Sequence, residues 1–443
     1  MKKYDVIVVG GGLAGLSAAS AFVEKGLNIL LLESRSVLGG RTSSWVDRGM
    51  EVESGFHRYL GFYEALPQLV EKAGVSLDDM LIWEDEIEIR MPDGQPSAVM
   101  GLGPLTKPFT TIGGLLLNND FLNPVDKVNI GKMFTSGFID FKNDPGSLDK
   151  KTVYEYAKEH DFSEEAVVRY LVPLTEGLFF LPIKKYSAVN FFGLLAPYLT
   201  KFHKTRVGAF SGGMTDVMIA PVVRYIEKKG GEIRTDAPVW ELLVGQGSVE
   251  GVVVKGKEIK AEGVVLASSI HSTQLILKRH FEKESWAKNI ITLKTMPSVT
   301  FQIDLKEPAL EKDRATFSPG TILSSYSEES RTTFRNTKGR LSIILANPEK
   351  YLDAKEGDIL DQVIDDAKRI GLNLPAENVL QFRKVTWPHD FYSYEKGMYP
   401  RRPEIKTPIE GLVLAGDYTR QEYLQTMEGA VVSGQRAAEA VLG

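Results

Sequence analysis

Three glycines near the start of the chain carry the first chemical signal. Gly10, Gly12 and Gly15 have the spacing G-x-G-x-x-G, and an acid, Glu33, follows a short apolar run. Each has a task in holding a dinucleotide. Gly10 permits a tight turn, Gly12 lets a pyrophosphate approach the backbone, and Gly15 lets a helix pack close to a strand. Leu13 and Ala14 then open a helix whose free N–H groups and dipole favour the phosphates. Glu33 can accept two hydrogen bonds from a ribose and would repel a 2′-phosphate. By itself this fingerprint fits NAD or FAD. Other chemistries are thinner. The chain has no cysteine, which excludes disulfides, thiolate metal sites and a thiol redox pair. Its six histidines include no H-x-x-H or H-x-x-x-H pair, so no metal site is expected. A net charge of −5 gives no sign of nucleic-acid binding. No Ser/His/Asp set or close carboxylate pair stands out as acid–base machinery, so the catalytic residues stay unassigned.

The elements that must position these residues follow from periodicity. Tyr4–Val9 is nearly all apolar or β-branched and predicts a buried parallel strand. Residues 13–25 have helical spacing, and 28–32 form a second apolar strand that ends at Glu33. That is a βαβ unit with the glycines in their proper turn. At 443 residues the chain can build two or three domains' worth of core. Alternation over 83–92 predicts one exposed strand closed by a Pro92-Asp93-Gly94 turn. Amphipathic helices are expected over 148–161 and 163–177, the second capped by Ser163. Phe179, Phe180, Phe191, Phe192 and Tyr198 either line a tunnel for an apolar substrate or form core. A helix over 217–229 leads to strands near 239–244, 249–254 and 262–268. Further strands are expected at 298–305, 321–325 and 340–346, with a helix over 359–370. Near the end, an apolar strand finishes in Gly416 and Asp417, and Thr426 is a plausible cap for a last helix whose first turn holds Met427, Glu428 and Gly429. No run approaches the ~20 apolar residues of a membrane span.

Arg35, Gly40 and Arg41 extend the fingerprint to E-x-R-x-x-x-G-G-R. With this extension the chain resembles the FAD-dependent amine-oxidase-like superfamily. Within it, Glu53-Ser-Gly-Phe-His-Arg, the run from Ala415 to Thr419 and the run from Met427 to Gly434 resemble plant and cyanobacterial carotenoid desaturases of the phytoene and ζ-carotene type. Arg58 departs from that pattern, which has an apolar residue after the histidine. The resemblance implies an α/β fold, with a Rossmann-like FAD-binding domain around a central parallel sheet and an α+β substrate domain inserted in two instalments. Residues 1–77, 206–269 and 389–443 would bind FAD; 78–205 and 270–388 would form the substrate domain. The site would hold Glu33, Ser34 and Arg35 near the adenosine and Gly40 and Arg41 near the phosphates. Gly55, Phe56 and His57 would pass under the flavin, Val239 and Ala267 would lie by the adenine nucleotide, and Gly416 and Asp417 by the ribityl chain. Met427, Glu428 and Gly429 would aim free N–H groups at flavin N1 and the C2 carbonyl. Tyr392 lines up with a tyrosine of those enzymes and is the candidate substrate-facing residue. The implied reaction is dehydrogenation of an apolar polyisoprenoid, with a quinone or oxygen as electron acceptor. The segment 104–132, which mixes apolar residues with Lys107, Lys127 and Lys132, is a candidate monotopic membrane contact on a cytoplasmic protein. Rival readings are a hydroxysqualene dehydroxylase, an amine oxidase or a protoporphyrinogen oxidase-like enzyme, or a flavin-binding protein without turnover.

Overall fold

Residues 4–84, 86–101, 118–178, 180–201, 204 and 206–443 are described by a computed structural model. Their architecture is mixed α/β and rests on two seven-stranded sheets. In the first, Glu232–Arg234, Ile29–Leu32, Tyr4–Val9, Lys257–Leu266 and Leu412–Leu414 lie side by side and parallel. The hairpin Val239–Gly245 and Ser248–Val254 continues the sheet antiparallel. Strand Lys257–Leu266 therefore serves two ladders: residues 257–260 pair with the hairpin, and from Ala261 onward the strand pairs with Tyr4–Val9. Ile7, Val8, Leu30, Leu31, Val264 and Val265 are fully buried, as covered parallel strands require.

Helix Leu13–Glu24 lies against the last helix, Met427–Leu442, at close range. A Cβ on Gly434 would overlap the Ala14 carbonyl, and Ser17 Oγ donates to the Val431 carbonyl at 2.8 Å. The start and end of the chain are thus packed on the same sheet.

The second sheet runs Val379–Tyr392, Thr295–Leu305, Gly339–Leu345, Leu323–Glu328, Thr316–Phe317, Glu86–Ile89, Ala98–Gly101. Helix Glu356–Arg369 covers it with Ile359, Val363 and Ala367 against Val299, Phe301 and Ile343. Strand Val379–Tyr392 runs unbroken past position 388, so the sheet continues beyond the point where the second instalment is expected to end.

Three local expectations need correction. The stretch 83–92 is not one exposed strand. Leu81–Glu84 pairs with Val207–Phe210 in a small sheet, while Glu86–Ile89 joins the second large sheet. Glu84 and Glu88 are buried because arginines meet them: Arg58 on Glu84, Arg90 and Arg314 on Glu88. Helix 148–161 is shortened to Val153–Glu159, with Thr152 and Glu155 forming a reciprocal capping box. Ser163 does cap, accepting from Ala166 N–H, but the helix it starts widens into π-helical turns over Val167–Leu171 and Pro173–Gly177. Pro173 has no N–H to donate, which favours such a break. Among the described residues no helix is long and apolar enough to cross a membrane. Of the segment 104–132, residues 104–117 lie outside the described residues, as does Phe179; the remainder leads into helix Pro124–Asn143, capped by Asn123.

Candidate functional site

The glycine turn is built by backbone contact. Gly10 has φ +113°, and a Cβ there would meet the Ala267 carbonyl at 2.6 Å. A Cβ on Gly15 would overlap the Gly10 carbonyl. Gly12 is different: its nearest neighbour would be Gly40 Cα at 4.0 Å. The space in front of Gly12 is a cradle that a side chain would fill and a phosphate can use. Gly39 N–H donates to the Gly11 carbonyl at 2.8 Å, which brings the second glycine pair beside the first. Gly12 caps the helix without a side-chain hydrogen bond, and no acid sits in the first turn, so the N–H groups of Leu13 and Ala14 remain available to an anion.

Glu33 is held from two sides. Gly11 N–H donates to one carboxylate oxygen at 2.7 Å, and Arg35 N–H and Ser34 Oγ donate to the other at 2.8 and 3.0 Å. Ala237 N–H donates to the Glu33 carbonyl at 2.8 Å, which brings Val239 and its hairpin alongside. The Arg35 guanidinium lies between two tryptophan rings, 4.8 Å from Trp45 and 5.2 Å from Trp387.

Arg41 joins the two ends of the sequence. It donates to Asp417 at 2.5 Å, stands 3.7 Å from Asp390 and lies over the Phe391 ring at 4.7 Å. Burial pushes the Asp390 carboxyl up to about 6, against the pull of Arg41 and a hydrogen bond from Ser298. Gly416 (φ +148°) donates its N–H to Ser433 Oγ at 2.8 Å, so the last helix fixes the turn that presents Asp417.

Gly55, Phe56 and His57 follow the hairpin Ser44–Asp47 and Met50–Glu53. Burial lowers the His57 pKa to about 4, and Arg41 and Arg58 add to the shift. The ring is therefore neutral at pH 7. Its Nδ1 lies 2.7 Å from the Gly55 carbonyl oxygen. With the proton on Nδ1, Nε2 is left unprotonated. Arg58, the departure from the desaturase pattern, has a structural explanation. Its side chain turns into the second sheet, where it meets Glu84, Asp313 (2.7 Å) and Glu329 (3.9 Å) and donates to Ser327. Burial pushes the Glu84 and Glu329 carboxyls upward, toward the protonated form.

The expected first turn of the last helix is corrected in part. Thr426 does cap it, but by accepting from Gly429 N–H at 3.1 Å, so that group is spent. Met427 and Glu428 N–H are given no acceptor among the described residues. The Glu428 side chain points elsewhere: it accepts from Glu64, Ala65 and Leu66 N–H at 2.7, 2.7 and 2.9 Å and caps helix Ala65–Lys72. Tyr392 is buried rather than open to a cavity. It is 1% exposed, its hydroxyl donates to Asn190 at 3.3 Å, and its ring lies 5.6 Å from Tyr394. Phe191 and Phe192 are also closed in, edge-on to Phe134 at 5.8 and 6.1 Å, and so are core and not tunnel wall. Phe180 instead lies 5.7 Å from the ring of Phe391, which Arg41 also contacts. Sequence reasoning misses Asp390, Trp45 and Trp387; the Trp387-Pro-His-Asp390 run was the signal available.

The flavin containing amine oxidoreductase model matches residues 13–442. The 15-cis-phytoene desaturase of Solanum lycopersicum is 26% identical, over 100% of this chain and 78% of its own length. The probable zeta-carotene desaturase of Synechococcus elongatus is 26% identical, over 99% of this chain and 98% of its own. A putrescine oxidase solved with putrescine bound shares the fold, with a TM-score of 0.76 at 16% identity over 100% of this chain and 99% of that one.

Proposed function

The chain belongs to the flavin containing amine oxidoreductase family, and from that premise we propose that this FAD-dependent oxidoreductase dehydrogenates an apolar polyisoprenoid of the phytoene type. The observation that carries the reading is the likeness to phytoene and ζ-carotene desaturases along the whole chain, including both sides of the dinucleotide groove that this reading places between the Gly12 cradle and Asp417. Two features of the groove are consistent with it. Burial keeps His57 neutral, and Phe391 and Phe180 give its flank an apolar character.

The residues present fit FAD. The open space before Gly12, with Leu13, Ala14, Gly15, Gly40 and Arg41 around it, suits the pyrophosphate. Glu33, Ser34 and Arg35 would take the adenosine ribose, and Val239 and Ala267 the adenine side. Gly416 and Asp417 would hold the ribityl chain, Met427 and Glu428 N–H the N1 edge, and Gly55, Phe56 and His57 the underside of the ring. Bound FAD supplies a two-electron acceptor. The chain's own part is to orient the substrate, keep water out and withhold competing proton donors; the neutral His57 serves the last of these. A quinone or oxygen would serve as the final acceptor. The substrate is drawn from a lipid surface, reached through the segment 104–132, whose Val125 and Val128 stand exposed on helix Pro124–Asn143.

Incubating the FAD-loaded protein with phytoene in liposomes, with a quinone or with oxygen, tests the reading. New absorption bands at longer wavelength are expected. No new chromophore under any acceptor overturns it, and hydrogen peroxide released with simple amines assigns the chain to the amine-oxidising branch.

A further inference from the structure

Buried arginines in this molecule have acids beside them. Arg169 meets Glu165 at 2.5 Å, Arg340 meets Asp304 at 2.5 Å and Arg383 meets Asp47 at 3.6 Å. Arg402 breaks the rule. It is 3% exposed, yet among the described residues no carboxylate lies within ion-pair distance of it. Its Nη2 donates to the carbonyls of Thr419 and Gln421, and the rings of Tyr392 and Tyr399 lie 5.8 and 5.6 Å away. Its Nε is buried with no acceptor. Glu422 acts on it only from beyond ion-pair distance and is already paired with Arg436 at 2.6 Å, so the buried charge is only partly offset and an anion would offset more of its cost.

Arg402 lines a cleft of about 730 Å³. Lys150, Lys396 and Arg420 line it too, with Tyr399 against them. The acid in the lining, Asp149, is already committed, accepting from Ser187 Oγ at 2.9 Å and Gly397 N–H at 3.0 Å. Lys396 and Arg420 have partners, Glu155 at 3.0 Å and Glu404 at 3.3 Å, but these pairs are largely exposed and so weak. No residue of the lining belongs to the set assigned to the dinucleotide.

We propose that this cleft is a phosphate-binding site separate from the dinucleotide groove. Four cations around one committed acid suit a multiply charged oxyanion. With Nη2 committed to two carbonyls, Arg402 supplies a fixed positive charge at the cleft wall through the rest of its guanidinium, while the lysines act as mobile point charges at the rim. The cleft is larger than a phosphate alone, so the phosphate carries an organic body that lies against Tyr399. It belongs either to a free phosphoester or to a lipid headgroup.

Isothermal titration of the FAD-loaded protein with two probes tests this and separates the two sources: inorganic pyrophosphate, and monomeric dihexanoyl phosphatidylglycerol below its micelle concentration. Saturable binding at one site is expected. The Lys150→Ala/Lys396→Ala double variant, whose substitutions are on exposed side chains, should weaken it at least tenfold and leave the flavin spectrum unchanged. Tighter binding of pyrophosphate assigns the free phosphoester; tighter binding of the lipid assigns the headgroup. Arg402→Gln, checked for fold by circular dichroism, should abolish both. Failure of both probes to saturate, or binding that is equal in wild type and double variant, overturns the proposal.

Discussion

Arg41 serves two carboxylates at once, donating to Asp417 at 2.5 Å and standing 3.7 Å from Asp390. The second acid has a raised pKa, about 6 in the fold against an ordinary value of 3.8. A folded state that holds its proton more tightly loses stability as that proton leaves, so Asp390 contributes a decline between about pH 4 and pH 6. Asp390→Asn removes the ionisation. Denaturant titrations of the apoprotein should show the variant gaining on wild type by at most about 3 kcal/mol as pH rises through that window; parallel curves would refute the assignment. Gly12 supports a different test. A Cβ there meets nothing closer than 4.0 Å, so Gly12→Val should keep the fold but fill the phosphate cradle. Flavin retained through gel filtration is expected to fall at least tenfold, with circular dichroism unchanged. These glycines were legible in the sequence because their tasks belong to the backbone, which spacing alone reports. Asp390 was not, because its role depends on Arg41 and Ser298, which lie far from it in the chain.

The first turn of the last helix shows how elements depend on distant parts. Thr426 caps that helix from three residues away, a relation any sequence displays. Glu428 caps a different helix, Ala65–Lys72, whose own N-cap residue Glu64 makes no side-chain cap. Nothing near position 428 or position 64 announces that pairing. Glu428→Ala leaves three N–H groups without their acceptor and should cost about 2 kcal/mol in a urea denaturation; an effect under a few tenths would sink the account. Strand Val379–Tyr392 escaped for another reason. Its burial is irregular and its sequence contains Pro388, so it lacks the clean alternation that betrays a strand. It lies at the edge of its sheet, where a missing N–H is tolerated. That same strand brings Trp387, Asp390 and Phe391 to the groove. On the other side, Val125 and Val128 stand exposed on helix Pro124–Asn143. If that helix meets a lipid surface, Val125→Asp/Val128→Asp should reduce sedimentation with liposomes several-fold and leave thermal stability unchanged.

At the scale of the whole molecule, the alternation of strand and helix patterns made the first sheet readable, because covered parallel strands are apolar throughout. The division of the second sheet was harder, since its strands come from positions 86 to 392 and pair across long gaps. The first sheet has its own long gap. Leu412–Leu414 pairs with Lys257–Leu266, and Met427–Leu442 lies on Leu13–Glu24. On the ribosome, then, the glycine turn is made first and waits for its other half until nearly the whole chain has been synthesised. Until the last helix docks, the first helix has an uncovered face, and flavin loading that needs Asp417 would come only after that docking. A premature stop between residues 42 and 411 would leave a chain with its fingerprint intact but without Asp417 and the last helix, and, on this reading, no flavin.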